Sequence, residues 1–330
     1  MSEPKHPHDS LFKLAFSDPA SGAALLRALL PEVLAERVDF ASLTLRSGSF
    51  KDRDLAGLES DLIFSADVEG REALFYFLLE HQSSVDSSMA WRLWRYVTRI
   101  WQWYVGESEG VVRLPLVVPV VIYHGDRRWT AARSVAELLD VEATLAAELG
   151  ELVPNLRYLL DDLTQLEPAA LRARSLPAFA TVSLWALRTA SDRGFAQTAS
   201  ELSDLFDGIR RAPDGRGALW TIFSYLSTIS GADEDLVAVV AGQLSAPVQE
   251  DVMDLVEHFA EQKKEEGRAE GRAEGRRGLL ARQLTLKFRA PPREVEARVA
   301  AASLDETERW AERILTASTL EEVFAGDHEA

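Results

Sequence analysis

At 330 residues, with 47% hydrophobic and 27% charged residues, the chain has the composition of a globular protein long enough for two or three domains. The absence of cysteine excludes disulfides and thiolate metal sites and makes the cytoplasm the expected location, while the lack of a long apolar run or signal-peptide pattern argues against a membrane partner. A formal charge of −17 argues against a broadly basic surface, yet residues 1–130 hold 14 Lys/Arg against 18 Asp/Glu and the remainder 22 against 35, so the acidity lies mostly beyond the first 130 residues and leaves DNA open as a partner there.

Residues 1–8 read as a polar lead-in. Asp9-Ser10 can cap a helix over Leu11–Leu30, with Phe12, Phe16, Leu25, Leu26 and Leu29 as its apolar side. Ser17-Asp18-Pro19 splits that segment in two, because proline cannot continue a helix through its interior. Val38–Ser49 alternates as a first strand. Two apolar runs follow, Leu62–Val68 and Ala73–Leu79, around an acidic turn centred on Gly70, the pattern of a hairpin. The second run is apolar at almost every position, as in a central strand covered on both faces, yet it ends in Glu80-His81-Gln82.

Strand alternation puts Glu80 and Gln82 on one face and His81 on the other. If the two runs lie side by side, Asp61 at the start of one approaches Glu80 at the end of the other. Two carboxylates at the rim of a hydrophobic sheet are costly without a cation, and oxygen ligands suit Mg²⁺ or Mn²⁺.

Asp86-Ser87-Ser88 caps a helix expected over Asp86–Val105, with Ala90, Leu93, Trp94, Val97, Trp101 and Tyr104 as its core-facing stripe. On the far side Arg92, Arg95 and Arg99 form a ridge with Tyr96 and Trp103 close by. Arginines beside aromatic rings suit a phosphate backbone and unstacked bases. A solvated helix face whose aromatics pack on a neighbour gives the same pattern. Leu114–Tyr123 reads as another buried strand, ending at the turn His124-Gly125. Tyr123 and His124 are second-tier candidates for substrate contact, although a lone histidine there also reads as a turn residue.

From Val135 to Gln262 the chain reads as helices broken by Pro154, Pro168, Pro177, Pro213 and Pro247, with no motif that carries chemistry. Residues 263–277, K-K-E-E-G-R-A-E-G-R-A-E-G-R-R, read as a flexible or marginally helical linker. Helical periodicity returns over Gly278–Ala317, a small unit whose size suits homo-oligomerisation.

An acidic residue on one strand and Glu80-x-Gln82 on the next resemble the PD-(D/E)XK nuclease superfamily, with Gln82 in place of the lysine. More narrowly, the chain resembles the Rpn family of recombination-promoting nucleases, also described as YhgA-like transposases. The resemblance rests on His8-Asp9-Ser10-Leu11-Phe12-Lys13, Ser60-Asp61-Leu62, Glu80-His81-Gln82, the tryptophan-rich helix and Pro119-Val120-Val121-Ile122-Tyr123-His124-Gly125, in that order. Ile314–Phe324 is also similar to a small C-terminal domain often attached to this family.

The resemblance implies an α/β, restriction-endonuclease-like mixed sheet flanked by helices over residues 1–134. A helical region over 135–262, a linker over 263–277 and a small helical domain over 278–330 are expected to follow. It implies a metal-dependent DNA endonuclease without a small-molecule cofactor. Asp61 and Glu80 would hold Mg²⁺ or Mn²⁺, the carbonyl of His81 would complete the coordination, and Gln82 would orient a ligand without supplying charge. An acidic group from the first helix often joins such sites, and Asp9 is the matching residue, although it reads equally as a helix cap. The alternative is a catalytically weak or inactive DNA-binding or assembly protein of a mobile element. Strand transfer normally needs three acidic residues on a different fold and suits the E-x-Q spacing less well.

Overall fold

The computed structural model describes residues 7–46, 62–80, 85–107, 112–125, 127–189, 194–229, 235–289 and 293–324. The first helix, α1 (Pro7–Phe16), buries Leu11, Phe12, Ala15 and Phe16. It ends where Ser17-Asp18-Pro19 predicts a break. The Asp18 carboxylate accepts from the Ser21 amide at 3.0 Å and Pro19 opens α2 (Pro19–Leu29), so the break doubles as the cap of the next helix. A single turn, α3 (Glu32–Ala35), leads into β1 (Val38–Leu45).

The expected hairpin is present as β2 (Leu62–Val68) and β3 (Arg71–Glu80), with Val68 paired to Arg71. Glu69 and Gly70 make a two-residue loop with φ of 55° and 78°, and the Gly70 amide donates to Asp67 at 2.7 Å. Positive φ at both loop residues matches the right-handed twist of the flanking strands. The tryptophan-rich helix α4 (Met89–Glu107) crosses over to β4 (Leu116–Tyr123), which runs parallel to β3. After α5 (Ala143–Leu149) comes β5 (Leu159–Asp162), parallel to β4. The sheet is therefore mixed, in the order β1-β2-β3-β4-β5.

β5 departs from the sequence reading, which expects only helices after residue 135. Its four residues, Leu-Leu-Asp-Asp, are too short to display a period of two. It becomes a strand by adding to the exposed edge of β4, a tertiary cause with no local signal.

One sheet face is covered by α4. Met89, Ala90, Leu93, Val97 and Ile100 pack with Ile63, Leu74, Tyr76, Val117, Val121 and Tyr123, alternate residues of their strands. Trp101 Nε1 donates to the Pro115 carbonyl at 2.9 Å and ties the helix to the approach of β4. Elsewhere the packing reaches backbone distance. A Cβ on Gly22 of α2 would lie 2.8 Å from the Phe64 ring, so glycine is what lets α2 close over β2. Each fully buried aromatic side chain contributes on the order of 1.5–3 kcal/mol.

The helices that follow are α6 (Pro168–Ala173), α7 (Ala178–Arg188), α8 (Gly194–Thr198), α9 (Ser203–Arg211), α10 (Gly215–Ile229) and α11 (Asp235–Ala241). α7 is buried from Ala180 through Leu187, Thr181 and Ser183 included. It packs against α1 and α9, and α10 packs against α1 and α9 in turn. The sheet and these helices form one compact unit, Met1–Met253.

α12 (Ala246–Phe288) is helical through residues 263–277, where Gly267, Gly271 and Gly275 stand in open space. Asp254–Ala330 is a second compact unit. In it α13 (Arg293–Ala301), α14 (Leu304–Thr316) and α15 (Leu320–Val323) gather Leu280, Leu284, Val299, Trp310, Ile314 and Phe324 into a core. A capping box between Ser303 and Glu306 starts α14. No helix among the described residues is long and apolar enough to cross a membrane.

Candidate active site at the carboxyl ends of the parallel strands

Three parallel strands end in one row. Glu80 closes β3 beside Tyr123, and Tyr123 closes β4 beside Asp162, the last residue of β5. The carboxyl ends of parallel strands are where open α/β sheets gather their ligands. The antiparallel partner contributes from the other direction. Leu62, the first residue of β2, lies opposite Phe77, about 10 Å along the strand from Glu80. Asp61, His81 and Gln82 lie outside the described residues, and of Glu80 only the backbone position at the end of β3 is described.

The residue after β4 is His124, which is only 2% exposed. Its ring meets that of His8, with centroids 4.8 Å apart. His8 belongs to the first turn of α1, and so does Asp9. The helix begins at Pro7, so Asp9 stands inside the first turn rather than at its cap, where a carboxylate is favoured by the unpaired amides of the helix end. His8 Nδ1 lies 2.8 Å from the hydroxyl of Tyr225 on α10. The amino end of α1, the end of β4 and the middle of α10 thus meet.

Beside this cluster the strand ends are tightly constrained. Tyr123 packs edge-on against Trp129 with ring centroids 4.9 Å apart, and Trp129 Nε1 donates to the Tyr158 hydroxyl at 3.0 Å. Tyr158 donates to the Ala132 carbonyl at 2.8 Å, and burial pushes its phenol up to about 12. Asp162 accepts from the amides of Trp129 and Thr164 and from the Thr164 hydroxyl. The neighbouring Asp161 is buried and receives both terminal nitrogens of Arg174 at 2.6 Å. The carboxylates of β5 are held by structural hydrogen bonds.

The arginine ridge is uneven. Arg92 is half-buried, pairs with Asp86 at 3.3 Å and leans over the Tyr96 ring at 5.9 Å. Arg95 is exposed and Arg99 half-buried. Tyr96 packs edge-on against Tyr76 of β3, so this aromatic of the ridge anchors the helix to the sheet.

A sequence profile of the family described as "Putative transposase, YhgA-like" matches residues 6–216. The chain belongs to the YhgA-like transposase family. Its curated relatives include the recombination-promoting nuclease RpnD of Escherichia coli O157:H7, 39% identical over 121 residues, which are 37% of this chain and 46% of that protein. The recombination-promoting nuclease RpnA of Escherichia coli K12 is 37% identical over 119 residues, 36% of this chain and 40% of that protein. The inactive recombination-promoting nuclease-like protein RpnE of the same strain is 36% identical over 120 residues, 36% of this chain and 40% of that protein. The chain therefore spans less than half the length of each of these three relatives. No solved structure matches it.

For this YhgA-like chain, sequence reasoning missed His8 and Tyr225 as members of the cluster. His8 was visible only as a letter beside Asp9. Tyr225 lies in α10, beyond the span matched to the family, where no local pattern distinguishes it from core.

Proposed function

We propose that the chain is a metal-dependent DNA endonuclease that hydrolyses phosphodiester bonds in recombination or at mobile elements. The observation that carries this reading is the row of parallel strand ends, with Glu80 beside Tyr123 and the His8–His124 pair next to it. That such a row occurs in a YhgA-like chain whose relatives are named recombination-promoting nucleases supports it.

The donors assigned to the cation are two carboxylates, Asp61 and Glu80, and the backbone carbonyl of His81. This all-oxygen set fits Mg²⁺ or Mn²⁺ in chemistry, and the register that sets the start of β2 against the last turns of β3 is compatible with it. When bound, the cation polarises the phosphate and makes an attacking water more acidic. Gln82 hydrogen-bonds the water or a phosphate oxygen and orients it, without the positive charge of a lysine. Asp9, beside His8 in α1, adds a further carboxylate at the rim, and the histidines supply N–H groups to non-bridging phosphate oxygens.

A second reading is favoured by two observations: a relative of similar identity is named inactive, and Gln82 replaces the charged residue of the resembled motif. In that reading the chain binds DNA or assembles on it without cutting. Incubation with supercoiled plasmid decides between them. Nicking that requires Mg²⁺ or Mn²⁺ and is absent in Asp61→Ala is the expected result. Plasmid retention without nicking by the parent protein at any concentration of either metal would leave the second reading standing.

A further inference from the structure

We infer that Tyr225, carried by α10 beyond the span matched to the family, is a positioning residue of the candidate site: its hydroxyl fixes His8, and His8 meets His124 at the carboxyl end of β4. The catalytic consequence rests on the nuclease reading, whereas the contact rests on geometry alone. The two groups are 217 positions apart in sequence, yet His8 Nδ1 and the Tyr225 hydroxyl are 2.8 Å apart. Their rings stand nearly perpendicular, at 74°, with centroids 5.6 Å apart. Tyr225 is 4% exposed, and α10 packs directly against α1. A phenol in such an interior is costly unless its O–H is partnered, and the described partner is the histidine of the His8-Asp9 pair.

Burial pushes the Tyr225 phenol far above its usual range, so the group remains a neutral O–H at every pH in which the protein works. The arrangement that leaves the buried O–H partnered has Tyr225 donating to Nδ1, and a neutral His8 ring then carries its proton on Nε2. The N–H of the ring is then set on the nitrogen opposite the one that faces α10. A donor whose tautomer and orientation are set in advance stabilises phosphate charge better than a ring free to rotate. The helices after the sheet thus complete the site, where the sequence pattern assigns them no chemistry.

The test uses the full chain and the Tyr225→Phe variant, which keeps the ring and removes only the hydroxyl. Long-range ¹H–¹⁵N spectra of the imidazoles should report the Nε2–H form of His8 in the parent protein and a mixture of tautomers in the variant. Single-turnover cleavage of plasmid with Mg²⁺ or Mn²⁺ should slow about tenfold, the equivalent of one lost hydrogen bond, with half-saturation by DNA essentially unchanged. Because Tyr225 acts through His8, adding Tyr225→Phe to His8→Gln should slow the reaction no further. Unchanged His8 nitrogen signals in Tyr225→Phe, or fully additive losses in the double variant, would overturn the inference. A parent protein that shows the expected tautomer but never cuts DNA would instead overturn the nuclease reading and the catalytic consequence with it.

Discussion

Two helices carry candidate residues, and they hold them in different ways. α4 lies along the sheet and spends one face on it, so its polar residues are those left over after packing: Arg92 goes to Asp86, Tyr96 to Tyr76, and Arg95 to solvent. α1 packs chiefly against other helices and meets β4 through His8 and His124. Its polar first turn is met by groups from two distant stretches of chain, His124 after β4 and Tyr225 on α10. Polar residues that converge from distant sequence need a common purpose more than those that decorate one amphipathic helix. Function should therefore be sensitive to the α1 side and tolerant on α4.

The largest effect belongs to the strand ends themselves. On the proposed reading, Asp61→Ala and Glu80→Ala should each lower cleavage by at least about 100-fold, because each would remove a charged donor for the cation. Gln82→Ala, which removes only an orienting amide, should cost about tenfold. Titrating Mg²⁺ against each variant checks the division of roles: the two carboxylate variants should lose metal affinity and the glutamine variant should keep it. Equal loss in all three would break it.

The next effect is on stability and concerns the strand that sequence reading missed. Asp161 and Arg174 are 5% and 12% exposed and share two short hydrogen bonds. Arg174→Ala leaves a buried carboxylate without its cation and should destabilise by about 3–5 kcal/mol, read from urea unfolding. Asp161→Asn with Arg174→Gln should recover part of that, because neither charge is then stranded. A loss under about 1 kcal/mol for Arg174→Ala would mean that water replaces the arginine and that β5 is weakly held.

The contrast between the two helices also explains how much could be read in advance. β2, the Glu69-Gly70 loop, β3, α4 and β4 are each written locally: an alternation or apolar run, turn residues that accept positive φ, or a three- and four-residue stripe. The α1–α2 break is written in Asp18-Pro19. β5 is not, because four residues show no period and its pairing to β4 is a tertiary event. Of the cluster at the strand ends, Asp9 and His124 were visible as motif letters. That His8 touches His124 and that Tyr225 reaches His8 depends on α1 packing between helices some two hundred residues away, which no local pattern encodes. Asp61, His81 and Gln82 lie outside the described residues, so their proposed roles rest on the motif alone.

A smaller effect sharpens the packing side of the comparison. Gly22→Ala would drive a methyl to within 2.8 Å of the Phe64 ring, itself wholly buried. Either α2 withdraws or the ring leaves its rotamer, and about 1–3 kcal/mol should be lost. Thermal unfolding of Gly22→Ala checks this, and an unchanged midpoint would show that α2 can slide without cost. Cleavage by the folded fraction should persist, since Phe64 belongs to the core and not to the rim.

The smallest effect is expected on α4. Each phosphate contacted by a basic side chain steepens the dependence of log affinity on log salt by about 0.9 for duplex DNA. Three equivalent arginines would give a slope on the order of −2 to −3, but they are not equivalent. Arg92 already faces Asp86, and moving it to a phosphate strands that carboxylate, so Arg92→Ala should change the slope least. Arg95 is the exposed member, and Arg95→Ala should flatten the slope by about one contact if DNA passes over α4. The measurement is DNA binding by the parent and each single variant between about 50 and 200 mM salt, with Ca²⁺ in place of Mg²⁺ to suppress cutting. A slope unchanged in Arg95→Ala would make the ridge a solvated face, and the contrast with α1 would then be complete: one helix built into the site, the other serving only to cover the sheet.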